Sequence, residues 1–251
     1  MKRLLSVFLM IAMILTACGS ADTAAEQPEQ KVPADDPAQT EAPHAPIDLP
    51  ALLTTGMWDS SAGDLYYDFS PNGTGRILDP GGFGTAGTFT YSVDNNTVVL
   101  EMQQNSSEVW TFAQDTNTFI CQSAESEKTV TQTAAQDVYT EWADGITRFA
   151  DAGSEQWMTQ LDMNQGSHQV YQYWDQLLNE VYQYLHRVLP DAEFRALQED
   201  EKVWITQKES AVQAAGAEYE GGSMQPLVEN SAAAEWTEDR VRYLIDLIPQ
   251  T

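Results

Sequence analysis

The chain has 251 residues, a hydrophobic fraction of 42% and a formal net charge of −26 at pH 7. This length allows one large or two small folded domains, and the apolar content is sufficient for hydrophobic cores. The charge excludes nucleic acid as a partner, because nucleic-acid binding depends on neutralising phosphates with Lys and Arg. Such a chain would attract a cationic protein, although acidity can equally serve solubility alone.

Residues 1–17 have the three parts of a secretory signal peptide. Lys2 and Arg3 precede an apolar run that ends at Leu15 and is shorter than the roughly 20 residues of a membrane-spanning helix. The run ends in Leu-Thr-Ala-Cys18, which resembles a lipobox, the motif in which the chain is cut before an acylated cysteine. The resemblance implies a lipoprotein anchored through Cys18 on the extracytoplasmic face of the membrane, in a Gram-positive type of bacterium. A secreted protein with a chance cysteine is the alternative.

Residues 18–47 are rich in Pro, Gln and acidic residues and contain almost no large apolar side chains. Prolines keep such a segment extended, and the excess of acids over Lys31 keeps it solvated. We therefore predict a disordered stalk between the anchor and the folded protein.

Residues 48–127 show the alternation of apolar and polar residues that is typical of β-strands. Three hairpins are predicted, with strands at 65–69 and 75–78, at 88–93 and 98–102, and at 108–112 and 118–121. Successive short hairpins favour an antiparallel meander that curls into a small barrel or half-barrel. Cys121 has no possible partner in the mature chain besides Cys18, so we expect it to pack as a small buried residue; an intermolecular disulfide is the alternative.

The β region also resembles the small lipocalin-like domains of bacterial lipoproteins. The resemblance rests on Gly56-Met57-Trp58 and on Phe69-Ser70-Pro71-Asn72-Gly73. The alternative function for the chain is therefore the binding of a small apolar ligand or a cell-wall fragment inside this domain. The glycine-rich stretch 81–87 lacks the Lys-Ser/Thr of a phosphate loop and precedes a strand, so it predicts a flexible loop in which Phe83 is either a lid or without a role.

In residues 128–251 the spacing of the apolar residues changes to that of an α-helix. This spacing predicts an all-α bundle that folds independently of the β region. One stripe begins at Ala135, a second ends before Pro190, and a third begins near Asp191 and includes Trp204, Ile205 and Lys208. Thr237 is predicted as the N-cap of the last helix. The predicted fold is thus α+β: a lipidated disordered stalk, a β meander and a helical bundle.

The helical region resembles the lysozyme-inhibitor LprI-like domain over roughly residues 160–248. The resemblance is carried by short motifs in the expected order: Asp175, Leu178, Asn179 and Tyr182; Trp204 and Lys208; Gly221, Gly222 and Ser223; and Arg240 with Leu244. It implies binding and inhibition of lysozyme. This chain lacks the cysteines that form disulfides in many members of the family. It also has Lys208 where the family often has Arg, and a lysine cannot make the bidentate contact that an arginine makes.

The same residues can be interpreted without the family. Asp175, Asn179 and Tyr182 form one polar strip on a helix, and Arg240 lies at the edge of a buried face, where its charge needs a partner. Asp175 is the predicted partner, and the favoured interpretation is an internal lock between helices rather than a ligand site. Gly221 and Gly222 likewise favour a turn with positive φ over a binding loop.

No catalytic motif is present, and acid pairs such as Asp200-Glu201 are expected by chance in so acidic a chain. His44, His168 and His186 are too scattered for a metal site, so we expect neither metal nor cofactor and predict that the protein is not an enzyme. We predict a non-catalytic binding protein at the cell surface, with a basic lysozyme as partner and Tyr219 and Ser223 as partner-facing residues. A filled β core and a strongly negative groove on the bundle would favour this function, whereas an apolar β cavity would favour the small ligand.

Overall fold

The computed structural model describes residues 47–60, 65–103, 106–122 and 127–250. Cys18, the predicted signal peptide and nearly all of the predicted stalk lie outside these residues. The described residues belong to one compact unit that begins at Pro46. Within them, no helix has both the length and the apolar character that are needed to cross a membrane.

Within the described ranges, eight antiparallel strands form a closed barrel in which each strand pairs with the next and the last pairs with the first. The strands are β1 (Met57–Ser60), β2 (Tyr66–Ser70), β3 (Thr74–Asp79), β4 (Gly84–Asp94), β5 (Thr97–Met102), β6 (Ser107–Ala113), β7 (Thr118–Gln122) and β8 (Glu127–Thr133). The predicted antiparallel meander is confirmed, and its form is the closed barrel.

Strand β8 has no counterpart in the sequence analysis, although it pairs with both β7 and β1 and so closes the barrel. Only Val130 in this strand is fully buried, because the other residues are polar and face outwards or lie at the strand ends. A strand with a single buried apolar residue gives almost no alternating signal. The β region therefore continues to Thr133, beyond the boundary that was predicted at residue 127.

The barrel interior is filled by side chains. Trp58 is fully buried, packs edge-on against Phe119 at 4.9 Å between ring centroids, and donates its indole N–H to the Leu53 carbonyl at 3.1 Å. Leu53 belongs to a short helix, α1 (Leu49–Leu53), whose leucines complete the same core. Cys121 is buried in this core, which confirms the packing prediction, and burial raises the pKa of its thiol. The other buried members are Leu49, Tyr67, Phe69, Phe89, Val98, Leu100, Trp110, Phe112 and Val130.

The helical region consists, in the described residues, of α2 (Ala135–Ser154), α3 (Gln160–Val188), α4 (Asp191–Gly216) and α5 (Gln225–Asp246), with a short 3₁₀ turn at Ala217–Tyr219. A capping box at Thr159 and Asp162 starts α3, and Pro190 separates α3 from α4 as predicted. Helix α5 packs against α2, α3 and α4, and so occupies the centre of the bundle.

Two predictions within the bundle are wrong. Thr237 is not an N-cap, because α5 begins at Gln225 and the buried Thr237 hydroxyl donates to the Ala233 carbonyl at 2.6 Å. The first half of α5 fully buries only Ala233 and Ala234, which are small, so the periodic signal in the sequence is weak there. Ile205, which was assigned to the buried stripe of α4, is 43% exposed.

Barrel and bundle are joined by a group of charged side chains around Asp68 of β2. The Asp68 carboxylate is 1% exposed and accepts hydrogen bonds from Arg76 of β3 at 2.8 Å and from Arg187 of α3 at 2.6 Å. Arg76 also pairs with Glu180 of α3, so the network crosses the junction twice. Burial, together with the Asp68 charge, raises the pKa of the adjacent Tyr184 to about 12.

The predicted flexible loop 81–87 is instead a tight turn that continues into β4 and packs on the helices. Phe83 has a φ of 55° and lies 5.9 Å from Phe149 and 5.1 Å from Tyr173 between ring centroids. A β-carbon at Gly145 of α2 would lie 2.7 Å from the Phe83 ring, so this glycine makes room for the contact. Phe83 therefore anchors the β3–β4 turn to α2 and α3 and is neither a lid nor without a role.

Candidate functional site

A groove of about 520 Å³ lies between α3 and α4. Six of the residues that carry the family resemblance meet here, because α3 and α4 run in opposite directions from the turn at Pro190. The residues that line the groove are Asp175, Leu178, Asn179, Tyr182, Gln198, Glu201, Lys202, Trp204, Ile205, Lys208 and Glu209.

The α3 wall combines polar and apolar side chains on successive helical turns. The Asn179 amide donates to the Asp175 backbone carbonyl at 2.7 Å and lies 3.4 Å from the Asp175 carboxylate. Leu178 is almost completely buried below them, and the ring of Tyr182 lies 5.1 Å from that of Phe194. The predicted strip thus exists, and it faces the groove with the Asn179 amide exposed and the Asp175 carboxylate half-buried.

The α4 wall is organised around Lys208. Its ammonium nitrogen lies 4.9 Å from the ring centroid of Trp204 and 5.4 Å from that of Tyr171, and it donates to the Tyr171 hydroxyl at 3.4 Å. Such cation–aromatic contacts hold a positive charge without a carboxylate. Lys208 reaches across from α4 to α3, and a second groove of about 440 Å³ continues on its far side.

Arg240 does not pair with Asp175, so this prediction is wrong. Its guanidinium donates to Glu201 at 2.8 Å and to Asp200 at 2.6 Å, and it lies 5.6 Å from the ring centroid of Trp204. Burial raises the pKa of Glu201, although the contact with Arg240 opposes the shift. The predicted internal lock between helices is therefore real, but it joins α5 to α4. The spacing of residues in a sequence does not reveal which helices are neighbours, so it could not distinguish Glu201 from Asp175 as the partner of Arg240.

Glu201 and Asp200 are the residues of this site that the sequence analysis missed. The signal was present, because Glu201 falls on the same helical stripe as Phe194, Leu197 and Trp204. An acidic residue on a buried stripe needs a cationic partner. In a chain with 38 acidic residues the pair was attributed to composition instead.

The loop that contains Gly221 and Gly222 lies away from the groove. Gly221 has a φ of 73° and donates its backbone N–H to the Gln225 side chain at 2.8 Å, which fits the predicted turn. The Ser223 carbonyl accepts a hydrogen bond from Asn164 at 3.0 Å, near the start of α3, and Tyr219 is 37% exposed. From Lys208 to Tyr219 the chain advances roughly 16 Å along the helix axis, at about 1.5 Å per residue.

The groove between α3 and α4 has mixed charge. Asp175, Glu201 and Glu209 are balanced in part by Lys202 and Lys208, and Glu201 is in turn paired with Arg240. The strongly negative groove that the sequence analysis associated with a lysozyme partner is therefore not this one. The barrel, by contrast, has the filled core that was expected for that function.

Comparison with known families concerns the helical region. Residues 150–244 match the family described as Lysozyme inhibitor LprI, which confirms the resemblance that the motifs indicated. The matched segment extends from the end of α2 through α3 and α4 to near the end of α5, and it includes the whole groove between α3 and α4. No curated protein and no solved structure matches the chain.

Proposed function

We propose that this chain is an exported lipoprotein that binds lysozyme without catalysis and inhibits it through its helical region. The observation that carries the proposal is the match of residues 150–244 to the lysozyme-inhibitor family. The N-terminal sequence supports export and lipid attachment at Cys18, which would keep the inhibitor on the extracytoplasmic face of the membrane.

The charge of the helical region supports a basic partner. Acids outnumber Lys and Arg by about three to one over residues 155–251. A cationic enzyme would therefore approach faster than a neutral one, but this attraction extends only about 8 Å at physiological salt. Tight inhibition also needs anchoring side chains that become buried in the complex.

Two surfaces of complementary shape are available for these anchors. The loop with Tyr219 and Ser223 is an exposed turn, so it is the element that can enter an enzyme cleft. The groove between α3 and α4 is concave, and its exposed Ile205 with the polar rim around Asn179 can accept a side chain that projects from the enzyme. We propose that the residues of the family motif form this concave surface and contact the enzyme there.

The second candidate, a binder of a small apolar ligand or cell-wall fragment inside the barrel, is disfavoured. Among the residues that the structure describes, the interior is occupied by the rings of Trp58, Trp110, Phe69 and Phe119 and their neighbours. A drug-sized ligand needs roughly 300 Å³ or more, which would require several of these rings to move.

Inhibition is tested with the soluble chain that starts after Cys18 and a basic lysozyme. Affinity and residual hydrolysis of cell walls are measured at low and at physiological salt. We expect Ile205→Asp to weaken binding on the order of 10-fold or more, because it places a charge at an apolar contact. Val203→Asp is the matched control, since Val203 is 56% exposed on the same helix but does not line the groove.

Tyr219→Ala tests the loop in the same assays. If Tyr219→Ala binds as the wild-type protein does, Ile205→Asp binds as Val203→Asp does, and binding vanishes at physiological salt, the association is only general attraction between acid and base. The inhibitor proposal then fails.

Anchoring is tested separately through Cys18. Cys18→Ala should abolish lipid attachment and release the protein or leave the signal peptide uncleaved. Mass spectrometry of the wild-type protein from the membrane fraction provides the decisive measurement, because a chain without lipid contradicts the proposed anchor.

A further inference from the structure

A third groove, of about 280 Å³, lies between α2, α3 and α5, on a different part of the bundle from the family motif. Among the described residues, its lining contains three carboxylates, two tryptophans and several hydroxyls, but no Lys, Arg or His. Its lining is therefore negatively charged, unlike that of the groove between α3 and α4. The residues that line it are Thr147, Ala150, Asp151, Trp157, Ser167, Val170, Trp174, Leu227, Ser231, Ala234, Glu235 and Glu238.

Trp157 is held at the edge of this groove by two glycines. A β-carbon at Gly153 would lie 2.5 Å from the Trp157 indole, and one at Gly166 would lie 2.1 Å from it. Each contact is closer than side-chain atoms tolerate, so α2 and α3 both need a residue without a side chain where the indole packs. Trp157 remains partly exposed there, with an aromatic surface directed to the groove.

One margin of the groove already contains a guanidinium from the chain itself. Arg242 lies 5.8 Å from the ring centroid of Trp174 and donates to Glu238 at 2.9 Å and to the Thr147 hydroxyl at 3.1 Å. These three partners all line the groove. The lining thus provides the aromatic, carboxylate and hydroxyl contacts that suit a guanidinium group.

Within the described part of the chain, the two remaining carboxylates have no such partner. Asp151 and Glu235 are exposed, and neither forms an ion pair with a cation of the described residues. They stand on α2 and α5 with Trp157 in the same lining. An incoming cation would therefore meet two unpaired carboxylates and an aromatic surface in a partly enclosed space, where charge-assisted contacts are stronger than on open surface.

We propose that this groove binds an Arg or Lys side chain of a basic protein partner. The identity of that partner as a lysozyme rests on the proposed function, whereas recognition of the cationic side chain rests on the groove alone. A neutral side chain would leave Asp151 and Glu235 without a counter-charge and would gain only the contact with Trp157. The groove thus selects for positive charge, in addition to the long-range attraction of an acidic protein.

A short peptide tests the groove directly. The probe is acetyl-Gly-Arg-Gly-amide, and the control peptide has citrulline, which has a similar shape without charge, in place of Arg. Binding to the soluble chain is followed by the NMR signal of the Trp157 indole N–H, which is identified by its loss in Trp157→Phe. We expect the Arg peptide to shift this signal and the citrulline peptide to leave it unchanged.

Paired variants separate the groove from general charge. Asp151→Asn with Glu235→Gln should raise the dissociation constant on the order of 10-fold. Glu218→Gln with Asp239→Asn changes the net charge equally at exposed acids outside the three grooves, and should leave the constant within about two-fold. Thermal melts of both pairs verify that the fold is retained. Equal losses in the two pairs, or an equal shift with citrulline, would overturn the proposal.

The same pairs are then compared for lysozyme affinity. A larger loss in the groove pair than in the control pair supports this site as the contact for a lysozyme side chain. If the peptide binds as expected but no lysozyme binds, the cation site stands and the proposed function fails. If lysozyme binds and the two pairs are affected equally, the proposed function stands and this groove is not its contact.

Discussion

The barrel and the bundle differ in how far their aromatic residues are enclosed. In the barrel, Trp58, Trp110 and Phe119 are fully buried in one core, with edge contacts such as that of 4.7 Å between Tyr67 and Trp110. In the bundle, Tyr139 and Trp142 are fully buried as well, but Trp157, Tyr182 and Trp204 line grooves beside charged groups. The barrel therefore has a closed hydrophobic core, whereas the bundle has grooves in which a partner could bind.

This difference follows from how the secondary-structure elements of each region pack together. A closed barrel pairs every strand with two neighbours and encloses a core, so aromatic rings fill it completely. Helices α3 and α4 both pack on α5, and gaps between them remain open to solvent. We infer that the barrel stabilises the protein and supports the bundle through the junction around Asp68.

The largest expected effect comes from separating the two regions. A fragment of residues 134–250 loses the contacts of Asp68 with Arg187 and of Phe83 with Tyr173. We expect a helical spectrum but a melting temperature on the order of 10–20 °C below that of residues 47–250, because several kcal/mol of contacts are lost. Circular dichroism measures both. Equal melting temperatures would mean that the bundle gains nothing from the barrel and folds independently, as the sequence predicted.

Truncation of the barrel core is expected to be the next largest effect. Phe119→Ala removes a fully buried ring and should lower the free energy of unfolding by about 3–5 kcal/mol. Val109→Ala, at a side chain that is 46% exposed on β6, should change it by about 0.5 kcal/mol or less. Urea denaturation gives both values. A small loss in Phe119→Ala would contradict the closely packed interior.

The junction is tested by Asp68→Asn. This change leaves Arg76 and Arg187 without their shared carboxylate and should cost about 1.5–3 kcal/mol, the range for hydrogen bonds to charged groups. Asp115→Asn in the exposed turn between β6 and β7 is the control, and no ion pair of the described residues involves it. If urea denaturation finds the two variants equally stable, the charged network does not hold the regions together.

The smallest effect concerns the pH dependence of the lock between α4 and α5. Because burial raises the pKa of Glu201, the folded state binds a proton there more readily than the unfolded state does. The stability from this group is complete below its unfolded pKa of about 4.3 and is lost as the pH rises through the higher folded pKa. Glu201→Gln removes this dependence.

The melting temperature of Glu201→Gln should therefore fall further below that of wild type at pH 4 than at pH 7. Glu209→Gln is the control, since the Glu209 carboxylate is exposed on the same helix. A deficit that grows towards pH 7 would mean that Arg240 outweighs burial and lowers the pKa of Glu201 instead.

Much of the architecture follows from local pattern. The alternation in 65–121 predicted three hairpins, and the helical stripes predicted α2, α3 and the start of α4, because period and turn residues are properties of adjacent residues. The motif around Asp175 and Trp204 was likewise visible in the sequence and was confirmed as a family resemblance. Strand β8 and the first half of α5 gave little pattern, since their buried residues are few or small.

Only the tertiary structure decided which distant residues meet. It placed Arg240 against Glu201 instead of Asp175, and it carried Phe83 from a turn of the barrel to α2 and α3. It also brought Asp151, Trp157 and Glu235 into one groove from three separate segments. Local sequence determines the period and the ends of an element, whereas the partner of a charge or a ring depends on how whole helices and strands pack against one another.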